Sequence, residues 1–229
     1  MKIVKGIAVI DGDECISKWV IESGQLAHDQ NMLPIVLKHI PIGGVVLDIG
    51  CYIGDHTIAY ANKVGKDGNV FAYEPSDDAY RCAFYNMRLH DNTEVINIAI
   101  GAKNGTAAIN KVQTNDGMNF LTDGNEIKVK TLDQVFIVEN QIDRIDFIKI
   151  DCEGFELDVL AGGVETIKKY RPKMLIEINE MTLSRNGITR ELIYGWLDSN
   201  GYAFTNIYEG QGLYEYQMDI LCIPLAKVN

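Results

Sequence analysis

From residue 42 onward the chain changes its hydrophobic period again and again. The short apolar runs Val45–Ile49, Val70–Tyr73, Glu94–Ile98, Ile145–Ile150 and Met174–Ile178 read as strands, and Tyr202–Ile207 and Met218–Ile223 add two more. Between them, His56–Lys63, Ser76–His90, Phe155–Tyr170 and Thr189–Asn200 read as helices. Ser76 is the expected N-cap of its helix, with Asp77 and Asp78 in the first turn. Gly162-Gly163 predicts a break within the third helix, and Gly65 and Gly201 end two others. Strands that alternate with helices predict βαβ units: an α/β, Rossmann-like, mostly parallel sheet with helices on both faces. Gly101–Val138 departs from this rhythm. It is polar, with turn signals at Asn104-Gly105, Asp116-Gly117 and Asp123-Gly124, and reads as short β pieces around a loop that includes Thr114–Asn119. Residues 1–41 read as an N-terminal annex, a small β element and one or two helices, and residues 42–229 as the main domain.

Composition narrows the function. The 229 residues carry 21 Lys and Arg against 32 Asp and Glu, a net charge of −11. Such a surface opposes non-specific binding to nucleic acid or to anionic membrane. Cys15, Cys51, Cys82, Cys152 and Cys222 are scattered, without metal-binding spacing, and read as reduced thiols of a cytoplasmic protein. No run is long and apolar enough to predict a membrane span, and the N-terminus lacks the shape of a signal peptide. Nothing in the composition speaks to oligomeric state.

The candidate chemistry begins at V46-L-D-I-G-C-Y-I-G-D-H-T57. Ligands of open parallel sheets bind beyond the carboxyl ends of strands, where Gly50 and Gly54 fall. A pyrophosphate would need bare N–H groups and a helix N-terminus. Asp48 and Asp55 would instead set carboxylates beside it, and the spacing is not G-x-G-x-x-G. A cationic ligand reverses the sign. S-adenosylmethionine carries a sulfonium and an ammonium, and a carboxylate near the strand end favours both. On this reading Gly50 lets the backbone approach the ligand and Gly54 lets a helix pack closely. Glu74, at the end of V70-F-A-Y-E-P75, is placed to accept hydrogen bonds from ribose hydroxyls. That role also suits a nicotinamide dinucleotide.

These two segments, with I145-D-F-I-K-I-D-C-E-G-F-E-L-D-V-L-A-G-G163, resemble the FkbM family of S-adenosylmethionine-dependent methyltransferases over roughly residues 44–180. The third block is the specific one. The resemblance implies a seven-stranded sheet with its last strand antiparallel, and O-methylation of a hydroxyl on a sugar, glycan or small natural product. Cys51-Tyr52 stands where the family usually has Ala-Asn, so Tyr52 is expected to cover the methionine end or narrow the pocket. The expected donor-binding set is Asp48, Gly50, Tyr52, Gly54, His56, Thr57, Glu74, Pro75, Asn97 and Asp151. His28, Asp29 and Gln30 precede a helix that could close over the donor, and the Tyr- and Gly-rich stretch 208–216 could stack on a sugar.

A hydroxyl needs a base, or a metal that lowers its pKa, before it attacks a methyl group. Lys149 and Asp151 are two apart and share one side of their strand. Asp151 or Glu153 is the candidate base, with Lys149 holding or tuning it. Asp151, Glu177 and Asn179 offer an all-oxygen alternative for Mg²⁺. Glu156 is expected to serve the helix start. The competing readings are a nicotinamide-dependent oxidoreductase, which lacks its third glycine here, and a donor-binding protein without catalysis.

Overall fold

The computed structural model describes residues 1–27, 31–110, 119–140, 142–209 and 217–226. In chain order the first elements are β1 (Lys2–Val4), β2 (Ile7–Val9), α1 (Ile16–Ser23), α2 (Leu33–Val36), β3 (Val45–Ile49), α3 (Thr57–Val64), β4 (Asn69–Tyr73), α4 (Asp77–Met87) and β5 (Thr93–Ile96). Then come β6 (Ala99–Ile100), β7 (Gly105–Asn110), β8 (Phe120–Lys130), a π-helical segment (Gln134–Glu139), β9 (Phe147–Ile150), α5 (Glu156–Ala161) and α6 (Val164–Tyr170). The chain ends with β10 (Lys173–Asn179), α7 (Glu180–Arg185), α8 (Arg190–Ser199), β11 (Tyr202–Glu209) and β12 (Gln217–Pro224).

Seven strands form one sheet in the order β11-β12-β10-β9-β3-β4-β5. β12 runs antiparallel to both neighbours, and the pairs from β10 to β5 are parallel. This is the Rossmann-like α/β sheet that the sequence predicts. Alternation sorts its residues. Leu47, Ile49, Ile148, Ile150, Ile176 and Ile178 enter the core beneath α5, α6 and α8. Val46, Val70, Phe147 and Leu175 face the opposite side, toward Tyr60 and Val64 of α3 and Val36 of α2. On that second face the pattern turns polar toward the strand ends, with Asp48, Lys149 and Glu177 all buried. That switch, on strands otherwise packed with apolar residues, marks the site.

The N-terminal segment is tied to the glycine loop by two buried polar devices. Asn86 on α4 accepts the Ala8 N–H (2.7 Å) and donates to the carbonyls of Ala8 (2.9 Å) and Ile53 (2.8 Å). Asp13 accepts the N–H groups of Cys15 and Ser17 at the start of α1, and the Tyr52 hydroxyl donates to it at 2.7 Å. Apolar contacts follow, with Ala8, Val9, Val20 and Leu26 packed with Tyr52, Ile53, Cys82 and Met87.

Within Gly101–Val138 the β pieces are longer than expected: β6, β7 and β8 make a separate three-stranded sheet. Asp123-Gly124 is not a chain reversal. Ala107 pairs with Ile127 and Ala108 with Thr122, so residues 123–126 bulge from β8. A Cβ on Gly124 would lie 2.4 Å from the Ala108 side chain, so the glycine serves a close approach between β8 and β7, a need that looks like a turn in sequence. Asp116-Gly117, most of Thr114–Asn119, His28, Asp29 and Gln30, and residues 210–216 of the Tyr-rich stretch lie outside the described residues. All five cysteines are free, and among the described residues no helix is long and apolar enough to cross a membrane.

Candidate active site

The loop after β3 turns by positive φ at Gly50 (+78°), Tyr52 (+50°) and Gly54 (+86°). The neighbour that Gly50 admits is the protein's own chain. A Cβ there would lie 1.8 Å from the Asp151 carbonyl oxygen, so only glycine lets the ends of β3 and β9 close together. Gly54 meets α4 at Ala83 and Met87, as expected of a glycine that lets a helix approach. Tyr52, a non-glycine residue in left-handed backbone, has its hydroxyl on Asp13, so its ring is anchored toward the N-terminal segment.

Asp48 is 0% exposed. It accepts the Thr57 hydroxyl at 2.6 Å and lies 3.6 Å from the Lys149 ammonium. Burial raises its pKa, against the pull of Lys149 and Thr57. Asp48 and Thr57 therefore brace the loop from beneath, and neither presents an accessible side chain to a ligand. His56 is buried edge-to-face against Tyr60, 3.9 Å from Asp55.

Glu74 closes the other side. One carboxylate oxygen accepts the Tyr52 N–H (2.9 Å) and the other the Ser76 N–H (2.8 Å). Each oxygen keeps a further lone pair, enough for two ribose hydroxyls. Burial lifts this carboxyl to about 7, opposed by those two N–H groups and by Lys149. Ser76 stands at the N-cap position of α4, but it is its backbone N–H, donated to Glu74, that is engaged. Asn97 donates to the carbonyls of Glu74 (2.9 Å) and Pro75 (3.2 Å), fixing the end of β4 from behind.

Lys149 joins the two halves. Its ammonium donates to the Gly50 carbonyl (2.8 Å) and lies 3.1 Å from Asp151, with Asp48 beyond. Burial would lower its pKa, but Asp151 and Asp48 outweigh burial and hold it well above the usual lysine value. Lys149 is therefore a fixed cation at neutral pH. It lies against Asp151 and has no free lone pair with which to act as a base.

Beyond it the carboxylates crowd together. One oxygen from each of Asp151, Glu153 and Glu177 lies within 4.8 Å of the others. Burial first, then Asp151 and Glu156, pushes Glu153 well above the ordinary range. Burial, then Asp151 and Glu153, does the same to Glu177. Glu177 Oε1 accepts from Gln217. Glu156 folds back to accept the N–H groups of Cys152 (2.9 Å) and Gly154 (3.2 Å), serving the turn and the helix start. Of the oxygen set expected for Mg²⁺, Asp151 and Glu177 converge. Asn179 Oδ1 accepts the Met181 N–H (3.1 Å) as the N-cap of α7, and Glu153 is a further acidic residue that converges with Asp151 and Glu177. The signal for α7 was present, since Asn179-Glu180 is a good helix start, but it follows the strand without a break and reads as the strand's end.

Comparison with known proteins agrees with this layout. A hexuronic acid methyltransferase, AglP, of Haloferax volcanii is 27% identical over 164 residues, 67% of this chain and 64% of the relative. A 2-O-methyltransferase, NoeI, of Sinorhizobium fredii is 29% identical over 149 residues, 56% of this chain and 60% of the relative. The matched segments thus span less than two thirds of either relative's length. A methyltransferase structure from Aquifex aeolicus superposes with a TM-score of 0.52 over 92% of this chain and 97% of its own, at 16% identity, and shares the fold. Residues 48–204 match the FkbM methyltransferase domain, more than half of the chain, and the chain belongs to that family.

Proposed function

We propose that the protein is an S-adenosylmethionine-dependent O-methyltransferase acting on a hydroxyl of a sugar, a glycan or a related small natural product. One observation carries the donor half: the left-handed turn at residues 50–54 faces the Glu74 carboxylate, whose two oxygens each keep a lone pair. S-adenosylmethionine supplies an electrophilic methyl group on a sulfonium. The chain's residues do the rest. Glu74 accepts the ribose hydroxyls, with Pro75 and Asn97 fixing its strand end. Asp48, Thr57 and Lys149 hold the loop, and the carboxylates favour a cationic ligand. The names of the two curated relatives support a sugar acceptor.

Attack on the methyl group is in line and needs alignment to within a fraction of an ångström. Of the two ways to activate a hydroxyl, a carboxylate base needs only Asp151, which Lys149 holds at the end of β9. The second way is a hard cation such as Mg²⁺, for which carboxylates are the fitting donors. Five free thiols fit a cytoplasmic setting.

Calorimetric titration with S-adenosylmethionine, S-adenosylhomocysteine and NADH tests the donor half. Micromolar binding of the first two, lost in Glu74→Ala, is expected. Preference for NADH would return the chain to the oxidoreductases. Turnover is then assayed on uronic acid and neutral glycosides with and without Mg²⁺. Tight donor binding with no transfer to any acceptor would leave a binding protein.

A further inference from the structure

At the acceptor side Asp151, Glu153 and Glu177 crowd together, and the cations that face them are Lys149 and, toward Glu153, Arg185, whose guanidinium stands over the Phe120 ring. Glu177 is 6% exposed, and its Oε2 has no hydrogen-bond partner. Glu153 Oε2 is likewise buried and unpartnered. Leaving a buried charge unpaired costs several kcal/mol, so such groups are paired, protonated or bound to a metal. Lys149 does not meet the need, because its ammonium is already shared among Asp151, Asp48 and the Gly50 carbonyl. Asp219, opposite Glu177 in the β10–β12 register, adds negative charge.

We propose that Asp151, Glu153 and Glu177 form a site for one hard divalent cation, Mg²⁺ or Mn²⁺. Three elements deliver them: the end of β9, the turn before α5, and β10. The Lys149–Leu175 pairing, continued by two residues, sets Asp151 beside Glu177. The turn then brings Glu153 back over both. Oxygens around one such ion at about 2.1 Å stand about 3–4 Å apart, so candidate atoms within 4.8 Å need only a small closure. Asn179 is outside the set because its oxygen caps α7. An ion here would lower the pKa of an acceptor hydroxyl. Asp151 would then be a ligand, and the proton would leave to water. This inference rests on the reading of this end of the sheet as the acceptor side of a methyltransferase.

The test is a Mn²⁺ titration of the full chain followed by electron paramagnetic resonance, with Mg²⁺ and Ca²⁺ as competitors and S-adenosylhomocysteine titrated into the same samples. One site is expected, weakened at least tenfold in Glu177→Gln and in Glu153→Gln and unchanged in Asn179→Ser, which keeps a capping oxygen. Each Gln variant removes one buried negative charge from the crowded cluster, so without metal it should melt at or above the wild-type temperature. Lost binding is then not lost folding. No Mn²⁺ bound at millimolar concentration, or binding indifferent to both Gln variants, overturns the site and assigns the cluster to shared protons. Nucleoside binding without Mn²⁺ removes the ion and leaves the donor reading; Mn²⁺ binding without the nucleoside does the reverse.

Discussion

Tyr52 shows how one residue can carry a cost and recover it locally. Its φ of +50° lies in the left-handed region, where a bulky side chain is strained by about 1 kcal/mol or more. Asn, usual in the family at this position, tolerates that conformation far better. The tyrosine recovers the strain through its ring, buried among Ile53, Cys82 and Val9, and its bond to Asp13. Burying an aromatic ring is worth about 2 kcal/mol and a hydrogen bond to a charged group about as much, so the tyrosine wins. Tyr52→Phe should therefore lower the unfolding free energy by about 2 kcal/mol in urea denaturation. No loss would mean that Asp13 is satisfied by Ser17 and Cys15 alone. Glu74 predicts a pH dependence. Its carboxyl rises from 4.5 to about 7 on folding, so the ligand-free folded protein holds a proton that the unfolded chain gives up. The stabilisation is complete below about pH 4.5 and disappears as pH rises through 7. Subtracting the stability profile of Glu74→Gln from that of the wild type should leave this fall. Affinity for S-adenosylhomocysteine should rise over the same window, because the ionised carboxylate is the better acceptor for a ribose diol. A pH-independent affinity in the wild type would contradict Glu74 as the ribose ligand.

Among the elements, what could be read in advance follows from period and punctuation. The runs at 45–49 and 174–178 are strands because they are buried on both faces, and the break at Gly162-Gly163 divides α5 from α6. Lys149 beside Asp151 follows from a two-residue period and needs no knowledge of the fold. Less was visible where one residue type serves two purposes. Asp123-Gly124 signals a turn and makes a bulge, Asn179 is both an oxygen donor and a helix cap, and Gly50 admits Asp151 of a strand about a hundred positions away. That contact comes from sheet order, which no local pattern encodes. The turn at 152–154, by contrast, is held locally, by Glu156 two to four residues on. Glu156→Ala should cost about 2–4 kcal/mol, since two N–H groups lose their acceptor. Glu156→Gln, which keeps an amide oxygen in place, should cost much less. Equal losses in thermal denaturation would point to packing of the side chain instead of to the turn.

At the scale of the chain, the sheet places its chemistry where β3, β9 and β10 end together, and the N-terminal residues complete one wall. Their contact is not a strand added to the main sheet. Among the described residues β1 and β2 pair with each other, and the join includes the Asn86 amide, the Asp13–Tyr52 bond and a cluster of apolar side chains. The main sheet has its own cores on both faces, with residues from α3, α5, α6 and α8. Deleting residues 1–23 should thus leave the sheet folded, at the cost of exposing Ile53, Cys82 and Met87 and freeing the Asn86 side chain. The loop at 50–54 would lose the bond that holds Tyr52 in its left-handed conformation, and that conformation would then be populated only in part. A binding-competent state populated at one part in ten lowers apparent affinity about tenfold. The shortened chain is accordingly expected to keep its far-ultraviolet circular dichroism while binding S-adenosylhomocysteine about tenfold more weakly. Unchanged affinity would show that the loop is held by Asp48, Thr57 and Lys149 alone, and collapse of the spectrum would show that the annex and the sheet fold as one unit.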